Sequence, residues 1–230
     1  MIVMFAEKNM PHHVVILGGS GPIAHAISSR LRGLKVAVTS LGTGDDNDVH
    51  CDLCSESSIE VALSKLSEFD AVVINAKKDV VKPLQYRGYN ELTETFQVGM
   101  VGPIFFLGLA TQKKKLSAGS SIVSIGSQSQ FSGLKYSVDY SSVKAALYGM
   151  NKSLIKEFVR KRIRVNSVIP DWIESGELPS DADRLGANDV CGFATAEQAA
   201  FPVVFLLSNK SRWISGQSLL FDGGRFLSRM

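Results

Sequence analysis

The sequence predicts an α/β fold: a doubly wound parallel sheet of about seven strands in a three-layer αβα arrangement. Three observations predict it. Strand-like apolar runs alternate with helix-periodic stretches along the whole chain. Several of these runs are continuously apolar, so they must be covered on both faces. The first run ends in a glycine turn that opens directly into a helix, the start of a βαβ unit.

The elements follow in order. Residues 13–19, HVVILGG, read as a buried strand and its turn. Ile23, Ile27 and Leu31 then recur every four residues, which is helix spacing. Residues 35–40 form the second strand, and 47–53 hold a short third one. Ile59, Leu63 and Leu66 mark a helix, 70–76 the fourth strand, and 91–112 a long apolar helix. Residues 120–126 are the fifth strand, 140–159 the next helix and 163–169 the sixth strand. A helix over 196–208 and a strand with its turn over 217–224 complete the chain. Residues 1–12 read as a flexible extension, which leaves 13–230 as a single domain. The least regular stretch, 171–195, carries glycines and acids and few aliphatics. In a fold whose sites lie beyond the carboxyl ends of strands, it is the expected substrate loop.

Composition excludes several classes. The 230 residues are 45% hydrophobic and 20% charged, a globular composition, with a net charge of +3. That charge is too small to argue for a nucleic-acid partner. The basic run 113–115 suits a helix C-terminus, and the run 160–164 leads into a strand. Three cysteines, an odd number, argue against a disulfide framework. Cys51 and Cys54 form a C-x-x-C, read here as a strand-end and a loop cysteine rather than a redox pair. No uninterrupted apolar stretch reaches the roughly 18 residues that read as a membrane span. The first twelve residues are too short and too soon charged for a signal peptide.

The chemistry concentrates in one stretch. Ser127 closes an apolar strand, Tyr140 follows thirteen residues later, and Lys144 lies one helical turn beyond it. Positions i and i+4 share a helix face. A lysine ammonium there, together with the positive nicotinamide ring of an oxidised cofactor, would stabilise the phenolate and lower the tyrosine pKa from its usual value of about 10. The tyrosine then serves as general acid toward a carbonyl or general base toward an alcohol. Ser127 can hold the substrate oxygen, and Lys144 can also grip ribose hydroxyls.

The turn LGGSGPIA offers a second clue. Gly18, Gly19 and Gly21 give the chain room to turn, and N–H groups at a helix start attract phosphate. Pro22 fits the first helical turn. The end of the second strand usually decides between the nicotinamide cofactors. Here it offers Thr39, Ser40, Leu41 and Gly42, followed by Asp45 and Asp46. No acid sits on the strand end itself, which tips the reading to NADP, with NAD the alternative. The two aspartates, if folded back, would repel a 2′-phosphate.

Over nearly all of residues 13–225 the chain resembles a classical short-chain dehydrogenase/reductase (SDR). The family's Tyr-x-x-x-Lys falls on Tyr140 to Lys144, and its serine on Ser127. Its Asn-Ala-Gly falls on Asn75 to Lys77, and its Asp-Leu/Val pair on Asp52 and Leu53. Its Asn-x-x-x-Pro-Gly falls on Asn166 to Asp171, and its closing Gly-Gln…Asp-Gly-Gly on Gly216 to Gly224. The resemblance implies a Rossmann-like NAD(P)-binding domain. The cofactor would lie along Gly18, Gly19, Ser20, Pro22, Ile23, Ser40, Asp52, Leu53, Asn75, Ala76, Lys77, Tyr140, Lys144, Pro170 and Ile173. It also implies a cytoplasmic oxidoreductase that acts on a small-molecule carbonyl or alcohol, as a homodimer or homotetramer.

The departures are specific. Leu17, Gly18, Pro22 and Ala24 stand where the family's glycine turn has Thr, Gly, Gly and Gly. Lys77 and Asp171 each replace a glycine, and Gly99 aligns with the family's relay asparagine. The intact Ser-Tyr-Lys set argues for an active enzyme, with carbonyl reduction by NADPH as the direction expected. The alternative is a cofactor-binding or scaffold protein with little turnover. Gln128, Gln130, Phe131 and Trp172 are expected to line the substrate pocket, and Lys77 and Lys78 to attract an acid. Apolar surface over 112–116, 140–159 and the C-terminal LLFDGGRFLSRM is expected to build the oligomer.

Overall fold

The structure, a computed structural model, describes residues 9–173 and 193–228. Seven strands pair in parallel in the order β3-β2-β1-β4-β5-β6-β7. They are β1 His13–Leu17, β2 Ala37–Gly42, β3 Val49–His50, β4 Phe69–Ile74, β5 Leu116–Ile125, β6 Arg164–Pro170 and β7 Ser218–Phe221. The order reverses beside β1, which places a crevice beyond the carboxyl ends of β1 and β4.

The continuous apolar strands are explained by two cores. Successive side chains of a strand point to opposite faces. Val15 and Leu17 of β1 therefore join Val72 and Ile74 of β4 on one face, while Val14, Ile16, Ala71 and Val73 face the other way. The first face is covered by α2 (Glu56–Ser64), α4 (Gly102–Gln112) and α6 (Val138–Phe158), through Ile59, Phe106 and Leu147. The second is covered by α1 (Pro22–Gly33) and α7 (Ala196–Leu207), through Ile27, Leu31, Val203 and Val204. Polar side chains lock the layers as well. Asn151 of α6 donates to Ser124 and Ser167 at 2.8 Å each, and Asn166 bonds Ile214 and Gln217 to hold β7 onto β6.

Three local features shape the site. First, only six residues join β2 to β3, where a parallel crossover usually needs a dozen or more. They suffice because β3 pairs only with the last two residues of β2, so the chain never returns to the far end of the sheet. Second, the helix expected over 91–112 is interrupted. α3 (Tyr89–Phe96) passes through a π-helical turn, Gln97–Val101, into α4. Pro103 has no N–H to give the Gly99 carbonyl four residues back, and the ladder widens there. By length and mean hydropathy of 1.3, the run Tyr89–Gln112 would pass for a membrane span, but Phe106, Leu107 and Ala110 are buried in the core. Third, packing starts ahead of β1. Met10 is buried, and the His12 N–H donates to Asp70 at 2.9 Å, so the extension expected over 1–12 is already fixed from residue 10.

Candidate active site

Ser127 follows β5 by two residues. It is oriented by Ser129 in the short helix α5 (Ser129–Ser132), which donates to the Ser127 oxygen from its N–H (3.2 Å) and its hydroxyl (3.1 Å). The Ser127 proton is thereby left for another acceptor. The phenol of half-buried Tyr140, in the first turn of α6, is hydrogen-bonded to Ser127. One turn on, the buried Lys144 ammonium donates to the Ile125 carbonyl at 2.7 Å and lies 5.6 Å from the Tyr140 ring centroid. The three residues read from spacing do converge.

The protein's own groups do not favour the phenolate. Burial raises the Tyr140 pKa, against a lowering hydrogen bond from Ser127, and the Asp79 charge raises it further. The lysine does not offset this, because its own charge is costly. Burial, then the charge of Lys77, pull Lys144 down to about 7, with Asp79 opposing. Above that pH the folded protein sheds a proton that the unfolded chain keeps up to lysine's ordinary 10.5, so stability rises with pH between the two values. Lys144→Met should abolish that slope. It should also stabilise the fold below pH 7 by about 1–4 kcal/mol, as when packed apolar groups replace buried charge. Urea melts at pH 6 and pH 9 check both; a variant less stable than its parent at pH 6 would contradict them.

The crevice beyond β1 and β4 is shaped for a dinucleotide. Gly18 has φ +79°, and a Cβ there would lie 2.5 Å from the Ala76 backbone. Asn75 donates to the Gly18 carbonyl at 2.8 Å and fixes the turn to β4. No side chain caps α1 at Gly21, and its first turn holds no acid. Exposed Pro22 lacks an N–H, but Ile23 and Ala24 keep theirs, and such a helix start fits a diphosphate.

The adenosine end departs from the expectation. The loop over 43–48 folds back onto the turn. Ser20 donates to Asp46 at 2.7 Å, His25 pairs with the other Asp46 oxygen at 2.9 Å, and Asn47 bonds Ser20. Ser40 lies inside β2, with its hydroxyl and N–H both bonded to Asp48, which also pairs with Arg32 at 2.9 Å. The cavity here, about 370 Å³, is lined by Asp46 together with His25 and Arg32, so acid and base share it.

The remaining expected residues are placed as follows. The Asp52 carboxylate accepts from Cys54, and Leu53 packs against Gly102. Ala76 is buried, whereas Lys77 is exposed and reaches 5.9 Å from the Tyr140 ring centroid. Pro170 ends β6, and Ile173 bridges Ala194, so the two ends of the expected substrate loop meet; residues 174–192 lie outside the described residues. Asp171, where the family has glycine, pairs with buried Arg225 at 3.1 Å. Lys78 pairs with Glu94 and is not available to an acid. Gln128 is bonded to Asp222 and Phe131 packs on Phe226, while Trp172 lines a separate cavity of about 350 Å³. A side chain at Gly99 would meet Val143 at 2.4 Å, so the place of the relay asparagine is filled from α6. Burial raises Cys51 to about 11 and raises Cys54 as well, which is the opposite of a redox pair.

Residues 23–225 match the protein-family model described as Enoyl-(Acyl carrier protein) reductase. The chain belongs to the short-chain dehydrogenase/reductase family. It is 31% identical to carbonyl reductase family member 4 of Xenopus tropicalis, over 91% of this chain and 95% of that one. It is 30% identical to a human 3-oxoacyl-[acyl-carrier-protein] reductase, over 86% and 85% of the two chains. Among solved structures, a dehydrogenase/reductase from Sinorhizobium meliloti superposes with a TM-score of 0.86 at 22% identity, covering 98% of this chain and 99% of that one. The angucycline C-6 ketoreductase LanV, solved with bound NADP, superposes at 0.84 with 22% identity, covering 95% and 97%. The SDR fold thus extends over the whole described chain.

Several residues that shape the site escaped the sequence reading. Ser129 was hidden in a serine-rich stretch. Asp79 carries no spacing signal. Asp139 precedes Tyr140 directly, and an acid in a first helical turn is a visible mark, but its partner Arg87 lies 52 residues away and only the fold joins them.

Proposed function

We propose that this SDR is an NAD(P)H-dependent carbonyl reductase in which Tyr140 is the proton donor. The observation that carries the reading is the convergence of Ser127, Tyr140 and Lys144, with a phenol whose pKa burial raises further. Reduction needs the acid form of the tyrosine; oxidation would need the phenolate. The named relatives, carbonyl and 3-oxoacyl reductases, point the same way.

Bound in the crevice, the dinucleotide would supply the hydride. The α1 N–H groups would hold its diphosphate, Asp52 and Leu53 its adenine, Asn75 and Ala76 the strand side, Lys144 a ribose, and Pro170 and Ile173 the nicotinamide side. Ser127 donates to the carbonyl oxygen and fixes it against the phenol. Tyr140 gives that oxygen its proton. Lys144, poised near neutrality, returns a proton to the phenolate. NADPH is favoured by the NADP-bound relative. NADH is the second reading, favoured by Asp46 and Asp48 at the adenosine end.

Fluorescence titration with both nucleotides tests the reading, and binding of neither at millimolar concentration would sink it. Asp46→Ala should tighten NADPH relative to NADH, because one repelled charge is removed; an unchanged ratio would take Asp46 out of cofactor choice.

The reading includes a cytoplasmic homodimer or homotetramer. Leu116 opens β5 and is buried, so the exposed apolar residues lie elsewhere than expected, at Val101 in the π-helical turn and Ile104 on α4, with Tyr148 on α6, Val159 just after it and Trp213 ahead of β7. Sedimentation at micromolar concentration should give a multiple of 24.9 kDa, and a monomer mass would refute the assembly.

A further inference from the structure

Lys77 is the departure with the most direct line to the reacting atoms. It stands where the SDR motif ends in glycine, which has no side chain. Its backbone follows Ala76, which packs against Gly18 of the turn, so its side chain starts beside the crevice. Its ammonium ends 5.9 Å from the Tyr140 ring centroid, and Lys144 lies 5.6 Å from the same centroid. Two ammonium groups therefore lie within 5.9 Å of the centroid of one tyrosine ring.

The neighbouring cations are neutralised. Lys78 pairs with Glu94, Lys82 with Glu91 at 3.0 Å, and Arg87 with Asp139 at 2.7 Å. Among the described residues, Lys77 has no carboxylate within ion-pair distance. Asp79 acts on the phenol and on Lys144 only as a through-space charge. Lys77 and Lys144 repel each other, an arrangement that an anion between the crevice and the phenol would relieve. The diphosphate belongs at the start of α1, and a substrate carboxylate would give Lys77 the direct partner that Asp79 does not.

We propose that Lys77 is a specificity-determining residue and that the substrate is a short oxo acid, its carboxylate paired with Lys77 while its carbonyl oxygen meets Ser127 and Tyr140. The proposal rests on the carbonyl-reductase reading. In the reaction the carbonyl carbon gains a hydride from NAD(P)H, which is oxidised to NAD(P)⁺. The carbonyl oxygen gains the Tyr140 proton, and the carboxylate emerges unchanged in a hydroxy acid. A 2- or 3-oxo acid carries the carboxylate and the reducible carbonyl on one short chain. A neutral ester or ketone leaves Lys77 unanswered.

The test uses non-reducible analogues. Oxamate and malonamate imitate 2- and 3-oxo acids, and oxamide and malonamide are their neutral counterparts. Each is titrated by calorimetry into the full-length protein saturated with NAD(P)H. The parent should bind at least one acid about tenfold or more tighter than its neutral partner, as a charge-assisted contact provides. Lys77→Met should erase that preference, and Lys77→Arg should retain it. Absence of any acid preference in the parent, or its survival in Lys77→Met, would overturn the proposal. So would a fall in nucleotide affinity with the acid preference intact, which would assign Lys77 to the diphosphate. Failure of the underlying reading shows separately, as a parent that binds no nucleotide, and the proposal then falls with it.

Discussion

Tyr140→Phe should lower kcat by about 10²–10⁴-fold, the range for loss of a positioned proton donor. Nucleotide affinity should be nearly unchanged, because the phenylalanine ring fills the same place. The single atom removed is the one hydrogen-bonded to Ser127. Ser127 has a proton to donate, but its alkyl hydroxyl is a far weaker acid than a phenol and serves orientation. The parent's reduction rate should be lost completely only as the raised tyrosine titrates, well above neutral pH. Lys144, near 7, should contribute a separate inflection around neutrality. A variant with parental kcat on any carbonyl substrate would remove Tyr140 from the mechanism. Unaltered binding of nucleotide by a parent that shows no turnover on a broad carbonyl panel would favour the scaffold alternative.

The fold was legible because its evidence is local and repeated. Most strands are short apolar runs, the first helix shows a four-residue recurrence, and the alternation, broken only between β2 and β3, allows little besides a doubly wound sheet. Even the helix-free link from β2 to β3 could be seen, since too few residues separate the runs. The π-helical turn could not be read so directly, because Pro103 looks like an ordinary early-helix proline until the position of α3 is known. The site divides along the same line. Ser127, Tyr140 and Lys144 sit within eighteen residues of sequence, and a helix turn and a strand end bring them together. The charges that tune them come from afar. Lys77 and Asp79 reach Tyr140 across the crevice, and Asp46 and Asp48 cover the turn from a loop whose direction the sequence leaves open. For that reason the protein's own groups raise the phenol pKa rather than lower it. Helix spacing located the lysine, while its burial and like-charged neighbour, both tertiary facts, decided its charge.

The stability of this arrangement depends on one buried ion pair. Arg87 and Asp139 are both fully buried and 2.7 Å apart, and Thr95 donates to the second Asp139 oxygen at 2.8 Å. Arg87 also donates to the Val80 carbonyl. The pair therefore ties the segment that carries Lys77 and Asp79, and α3, to the first turn of α6 one residue before Tyr140. Asp139 is also well placed there, since an acid suits a helix start. Arg87→Ala should destabilise the protein by about 3–5 kcal/mol, because it strands a carboxylate in an apolar interior. Chemical denaturation would read this as a lower midpoint at constant m-value. Asp139→Ala should cost a similar amount by stranding the guanidinium. The double variant Arg87→Met with Asp139→Leu leaves no unpaired charge and should recover most of the loss, as buried pairs exchanged for apolar groups often do. Its activity should nonetheless stay below the parent's, because the polar ties to Val80 and Thr95 that hold Lys77 and Tyr140 in register are gone. Single variants within about 1 kcal/mol of the parent, the range of exposed pairs, would show that the two charges reach water after all.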